Sequence, residues 1–135
     1  MIRLRLDPAS PSPLYSQIME QVRWAVAAGA LRPDDELPSV RALAAEQLIN
    51  PNTVARAYLE LEREGLVTKK RGTGTYISTQ AARLSEKHRA RMVAGLLDKV
   101  LRQATDIHMP LEQIREIFEE RLKAVNAGAV VEKEP

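Results

Sequence analysis

The chain has 135 residues, 44% of them hydrophobic, with 20 basic and 18 acidic side chains and a formal net charge of +2. This length holds one domain, or one small domain with an appendage, and so small a charge is no argument for nucleic acid, because any basic surface must come from the placement of side chains. With no cysteine, a disulfide framework and a thiolate metal site are both excluded; the opening Met-Ile-Arg-Leu-Arg-Leu-Asp-Pro lacks the apolar core of a signal peptide, and no apolar run approaches a membrane span, so a cytoplasmic protein without a membrane partner is expected.

Ile2, Leu4 and Leu6 alternate with Arg3 and Arg5, a short period-two strand signal. The Pro- and Ser-rich segment from Asp7 to Pro13 reads as a turn, and Ser12-Pro13 opens a first helix. Leu14, Ile18, Val22, Ala25 and Val26 recur along it at helical spacing and form a core face, and Gly29 ends it. The segment from Leu31 to Leu37 crosses a polar turn, Arg32-Pro33-Asp34-Asp35-Glu36. A second helix starts at Ser39, an N-cap residue, and runs Val40 to Gln47 with Val40, Leu43 and Ala44 inward. Arg41 lies off that stripe in the first turn, where the helix dipole disfavours a cation. A nearby phosphate would reverse the penalty; by itself Arg41 reads as a solvated surface residue.

After Leu48-Ile49 the chain enters a third helix at Asn50-Pro51-Asn52-Thr53-Val54-Ala55-Arg56-Ala57-Tyr58. Pro51 suits the first helical position and Asn50 can cap the turn. Val54, Ala57, Tyr58 and Leu61 make an apolar stripe, while Asn52, Arg56 and Arg63, flanked by Thr53 and Glu60, lie opposite. An amide, a hydroxyl and a guanidinium thus gather at an exposed helix N-terminus, where they can bond base edges and phosphates. An ordinary amphipathic surface helix has the same periodicity. The preceding short helix and tight turn favour a helix-turn-helix. Gly65 ends the third helix, and Leu66 to Lys70 and Thr75 to Ser78 read as strands around the loop Arg71-Gly72-Thr73-Gly74. Lys69, Lys70 and Arg71 make this hairpin basic, and its glycines would let a backbone approach closely. Such a hairpin can be a mere solubilising loop; directly after a helix-turn-helix it reads as a wing.

These residues carry a resemblance. Pro13-Leu14-Tyr15-Ser16-Gln17-Ile18, Gly29-Ala30-Leu31-Arg32-Pro33, Leu37-Pro38-Ser39-Val40-Arg41-Ala42-Leu43-Ala44, Asn50-Pro51-Asn52-Thr53-Val54, Leu61-Glu62-Arg63-Glu64-Gly65-Leu66-Val67 and Arg71-Gly72-Thr73-Gly74-Thr75-Tyr76 together resemble the GntR-type winged helix-turn-helix regulators. The Asn-Pro-Asn-Thr form, with a short C-terminal part, resembles the YtrA-like subfamily. Asp34 stands where the family usually has Gly, and Asp tolerates a left-handed backbone. Gln47-Leu48-Ile49 replaces the usual Leu-Gly-Val, so a differently shaped turn is expected there. Ala55 replaces an Arg that contacts DNA in many members, and Pro51 an Arg of other branches. The resemblance therefore implies base reading centred on Asn52, Thr53 and Arg56, with Ser39, Arg41, Asn50, Lys69, Lys70, Arg71, Gly72, Thr73 and Gly74 completing the DNA-binding set.

Beyond the hairpin, Met92, Val93, Leu96, Leu97, Val100, Leu101 and Ala104 form one apolar stripe from about Leu84 to Ala104, and Leu111, Ile114, Ile117, Phe118, Leu122 and Val125 another, with Asp106 to Pro110 between them. Two such helices cannot bury an adequate core alone; they need the winged domain or a second subunit, and the resemblance implies the subunit. The expected fold is mostly α with a small β-wing: a winged helix-turn-helix domain over 1–78, a short two-helix dimerisation unit over 79–126 and a flexible tail over 127–135.

No catalytic constellation is visible. His88 and His108 sit in no metal-ligand spacing, the carboxylates interleave with Arg and Lys on helix faces, and Gly72-Thr73-Gly74 lies in a hairpin rather than before a helix. No enzyme activity, metal or cofactor is expected. The expected partners are a double-stranded DNA operator and a second copy of the chain, in a bacterial transcription regulator, with repression as the expected sign. Resemblance to the subfamily implies a neighbouring transporter operon as target. A sensor whose small-molecule ligand at the dimer interface switches DNA binding is the alternative, although the sequence specifies no effector. A protein-interaction module without DNA binding is disfavoured by Arg41, Asn52, Thr53, Arg56 and the basic hairpin.

Overall fold

The computed structural model describes residues 3–70 and 72–128. It divides into two compact units, Met1–Arg89 and Ala90–Pro135, a division at 89/90 where the sequence suggests 78/79. The first unit contains α1 (Leu14–Ala27), α2 (Val40–Gln47), α3 (Pro51–Arg63), β1 (Val67–Lys70) and β2 (Gly74–Ile77), and α4 (Ala81–Asp106) begins in it. Ala81 and Ser85, in the opening turns of α4, are buried. α5 (Leu111–Asn126) follows in the second unit.

The core of the first unit joins all three helices and the hairpin: Ile18 and Val22 from α1, Leu43 and Ala44 from α2, Val54, Ala57, Tyr58 and Leu61 from α3, Val67 and Ile77 from the strands. The apolar stripes expected on α2 and α3 supply it; on α1, Leu14 and Ala25 stay half-buried while Gln17 and Met19 are buried. Val54, Ala57 and Leu61 are wholly inaccessible, and a fully buried Val or Leu contributes about 1.5–3 kcal/mol.

The N-terminal segment departs from the alternation of its sequence. Ile2 lies outside the described residues, and residues 3–7 form no strand. Side-chain amides of α1 take the part of a neighbouring strand. Gln21 accepts from the Arg5 N–H at 2.9 Å and donates to the Arg5 carbonyl at 2.8 Å. One turn earlier Gln17 accepts from the Asp7 N–H at 2.8 Å and donates to the Asp7 and Ser12 carbonyls, both at 2.9 Å. Gln47 of α2 donates to the Leu4 carbonyl at 3.1 Å. Three glutamines therefore satisfy backbone groups that would otherwise need a strand, and Leu4 is buried.

β1 and β2 pair antiparallel with Val67 opposite Ile77 and Lys70 opposite Gly74. The supposed polar turn before α2 adds a third, short line to this sheet. Glu36 bridges Tyr76, the Leu37 N–H donates to Thr75 at 2.9 Å, and Asp34 and Asp35 exchange two 2.8 Å bonds with Ile77. Asp34 adopts φ +69°, the left-handed turn its sequence position requires.

The turn between α2 and α3 is closed by Leu48 in the left-handed region, φ +56° and ψ +45°. The Ile49 N–H returns to the Ala44 carbonyl at 3.0 Å, as at a helix end closed by glycine. Gly65 does the same after α3 at φ +83°. The departure from Leu-Gly-Val thus leaves a left-handed closure in place and puts a strained leucine in it. An L-residue there costs about 1–2 kcal/mol, and Leu48 recovers nothing by burial, being 91% exposed. Leu48→Gly is expected to stabilise the protein by about 0.5–1 kcal/mol, after allowance for the greater unfolded-chain entropy of glycine. Urea unfolding checks this; an unchanged or lowered midpoint would show that the turn carries no strain.

Candidate nucleic-acid interface

The exposed polar side of α3 follows from its buried side. With Val54, Ala57, Tyr58 and Leu61 turned into the core, Asn52 and Arg56, four residues apart, share the outward face. Pro51 occupies the first turn, and the Asn50 side chain accepts from the Asn52 N–H at 2.8 Å. The cap uses the amide oxygen of Asn50 and leaves its NH2 group able to donate. Thr53, half-buried, donates its backbone N–H to the Asn50 carbonyl at 3.0 Å.

α2 is fixed against α3 through Tyr58, whose hydroxyl donates to the Pro38 carbonyl at 2.7 Å. Burial pushes this phenol's pKa far upward, so it remains a donor. Ser39, the next residue, caps α2 by accepting from the Ala42 N–H at 3.0 Å. Arg41 is exposed in the first turn, and no ion pair among the described residues involves it. A single buried hydroxyl thus ties the start of α2 to the middle of α3.

The hairpin sets its two described lysines in different surroundings. Lys70 lies 3.6 Å from an Asp34 carboxylate oxygen, and its ammonium stands 4.6 Å from the centre of the Tyr76 ring. Lys69 is exposed, and none of the ion pairs among the described residues includes it. Arg71, also expected at this tip, lies outside the described residues. Gly72 and Gly74 have φ of +76° and +140°, and a Cβ on Gly74 would come within 2.7 Å of a Glu36 carboxylate oxygen. Thr73 is exposed, its hydroxyl donating to the Lys70 carbonyl at 3.2 Å.

Two residues escape the sequence reading. Asp34 holds Lys70, and Tyr15 of α1 lies beneath Arg56, whose guanidinium carbon is 3.8 Å from the ring centre. Both are contacts between distant parts of the chain, for which local periodicity carries no signal. Arg63, expected on the polar face, is paired with Glu60 at 2.7 Å. Among the described residues no group of three or more His, Asp or Glu side chains could hold a metal ion, and no helix is long and apolar enough to cross a membrane.

Residues 14–77, from the start of α1 to the end of β2, match the model of bacterial regulatory proteins, gntR family. Over 93% of its length the chain is 38% identical to the HTH-type transcriptional repressor YtrA of Bacillus subtilis (strain 168), of which it spans 96%. It belongs to the GntR family. Solved structures agree: a GntR family transcriptional regulator from Listeria monocytogenes is similar with a TM-score of 0.67 and 28% identity, over 85% of this chain and 98% of that one. A transcriptional regulator from Oenococcus oeni is similar with a TM-score of 0.64 and 32% identity, over 87% and 97%. The three helices and the hairpin are the winged helix-turn-helix of this family, and the GntR-family chain is a transcriptional regulator, not an enzyme.

The Tyr58 contact makes a testable demand on this domain. Tyr58→Phe removes the donor and leaves the Pro38 carbonyl without its partner, at an expected cost of about 1–3 kcal/mol. Chemical denaturation measures it, and a loss well under 0.5 kcal/mol would mean that water replaces the hydroxyl freely.

Proposed function

We propose that this GntR-family chain is a repressor that binds a two-fold DNA operator as a homodimer. The single observation that carries the reading is the polar N-terminal face of α3, exposed because the opposite face is wholly buried. In this reading Asn52, Thr53 and Arg56 meet base edges in the major groove, while Asn50 and the α3 N-terminus meet a phosphate. Arg41, with Ser39, meets the backbone at the start of α2, where a phosphate would offset the unfavourable dipole. Lys69 and the Gly72-Thr73-Gly74 backbone follow the adjacent strand. Lys70 contributes less than Lys69, because Asp34 already offsets its charge. Arg71, named with them from sequence, would add to the same contact.

A duplex selected by the wild-type protein from a random pool, with a scrambled duplex as control, tests the division of labour. Asn52→Ala is expected to lower discrimination between the two by about 1–3 kcal/mol if the amide makes a good bidentate contact. Lys69→Ala should weaken both complexes alike and flatten the salt dependence by about one unit of slope. If Asn52→Ala keeps full discrimination, α3 is not the reading helix.

Support for the dimer comes from the second unit. No residue of α5 is buried, and on the α4 stripe Val93, Leu96, Leu97, Val100 and Leu101 are 39–55% exposed. On α5, Ile117, Phe118, Leu122 and Val125 are 41–44% exposed and Leu111 is 70% exposed. Met92 and Ile114 are half-buried. So much apolar surface on one short unit calls for cover, and a two-fold interface would cover the same stripe on both copies. Two winged domains held in this way could meet half-sites about 34–36 Å apart, or a multiple of that spacing. Leu97→Asp puts a charge on the stripe in each copy. It is expected to give a monomer in sedimentation that loses the selected duplex while the first unit still unfolds cooperatively. A wild-type monomer at micromolar concentration that binds a palindromic duplex tightly would overturn the dimer.

A further inference from the structure

The stack of Arg56 on Tyr15 carries the reading of α3 one step further, and it rests on that reading. Tyr15 stands at the start of α1, half-buried and packed against the core. Its ring is therefore an anchored platform rather than a mobile surface group. Arg56 projects from the exposed side of α3, and its guanidinium carbon lies 3.8 Å from the ring centre. Stacking occupies only the π face of a guanidinium; its five N–H donors lie in the plane and point away from the ring's centre.

What else binds Arg56 decides what those donors can do. Arg23 is engaged by Glu64 and Arg63 by Glu60. No hydrogen bond or ion pair of this kind involves Arg56 among the described residues. Arg23 and Arg63 thus spend donors on carboxylates, whereas the stacked Arg56 keeps its own for an external partner. Its neighbour one turn earlier on the same face is Asn52, also exposed.

A phosphate can be met by a mobile point charge, and a lysine suffices for it. A guanidinium whose plane is fixed suits a partner with two coplanar acceptors, and in the major groove these are O6 and N7 of guanine. We propose that Tyr15 is a positioning residue that holds the Arg56 guanidinium in the orientation needed to read a guanine in each operator half-site. The ring does this without consuming a donor, which a carboxylate in its place could not do.

The test uses the full chain and the duplex selected by the wild-type protein, against a scrambled duplex, in four variants. Arg56→Ala is expected to lower the ratio of the two affinities about 5- to 100-fold. Tyr15→Leu should lower it about 2- to 5-fold, the range of an exposed cation–π contact. Tyr15→Phe, which keeps the ring, should hold the wild-type ratio even if the lost hydroxyl weakens binding to both duplexes. In the Arg56→Ala background Tyr15→Leu should cost no further discrimination. Replacing one half-site guanine by 7-deazaguanine should weaken the wild type and leave Arg56→Ala unaffected. Thermal unfolding of each variant separates loss of fold from loss of reading. If Arg56→Ala keeps full discrimination, base reading by this arginine fails and the positioning role falls with it. If Arg56→Ala loses discrimination while Tyr15→Leu does not, the reading by α3 survives and the role of Tyr15 is overturned. A uniform loss on both duplexes with a salt slope flatter by about one would make Arg56 a phosphate contact and overturn the guanine assignment.

Discussion

The rotation of α3 about its own axis is the constraint on which the rest depends. Val54, Ala57 and Leu61 have no accessible surface, and Tyr58 is nearly as buried. A turn of the helix by one residue, about 100°, would bring polar side chains into the core and expose this stripe. The packing therefore fixes where Asn52 and Arg56 point, although neither takes part in it. The Tyr58 hydroxyl extends the constraint to Pro38, and through it to the capped start of α2. Apolar burial thus orients the polar groups, and a hydrogen bond from the middle of α3 ties down the start of α2.

A net charge of +2 hides how the charges are used. Arg23 with Glu64 joins α1 to the end of α3, and Arg63 with Glu60 lies along α3. Lys70 is shared by Asp34 and the Tyr76 ring. These cations belong to the protein's own surface, where exposed pairs contribute little to stability. Arg41, Lys69 and Arg56 stand apart from such pairing. So do Arg3, Arg5 and Arg32; what distinguishes the first three is their place on α2, α3 and the hairpin, and net charge carries no record of such placement.

Much of the first unit is legible in the sequence because its helices bury one face each. The periods of Val40-Leu43-Ala44 and Val54-Ala57-Tyr58-Leu61 mark the buried sides, and Ser39, Asn50 and Pro51 mark the starts. Glycine at residue 65 and the basic loop before Thr75 mark the ends of α3 and the hairpin. The remainder is hidden where side chains or distant segments replace a local rule. Alternation of Ile2, Leu4 and Leu6 signals a strand, but Gln17 and Gln21 supply the partner groups from a helix, and residues 3–7 form no strand. Asp34 to Leu37 has the composition of a turn and also pairs with β2. The Tyr15–Arg56 stack joins two helices whose periodicities are independent. Leu48 shows the reverse case: an unfavourable residue adopts the backbone its position demands, because the surrounding helices determine it.

The short line of chain at Asp34 to Leu37 has a consequence for the company this protein can keep. A two-stranded hairpin has two open edges, and open edges invite other strands to pair with them. Here one edge of β2 is already occupied, with Leu37 bonded to Thr75 and Ile77 exchanging bonds with Asp34 and Asp35. The edge left on β1 carries Lys69, exposed and in none of the ion pairs of the described residues, and a charged side chain on an edge disfavours pairing with a second copy of the same strand. With one edge occupied and the other carrying charge, the hairpins of neighbouring copies have little occasion to zip into a shared sheet, however closely the molecules crowd.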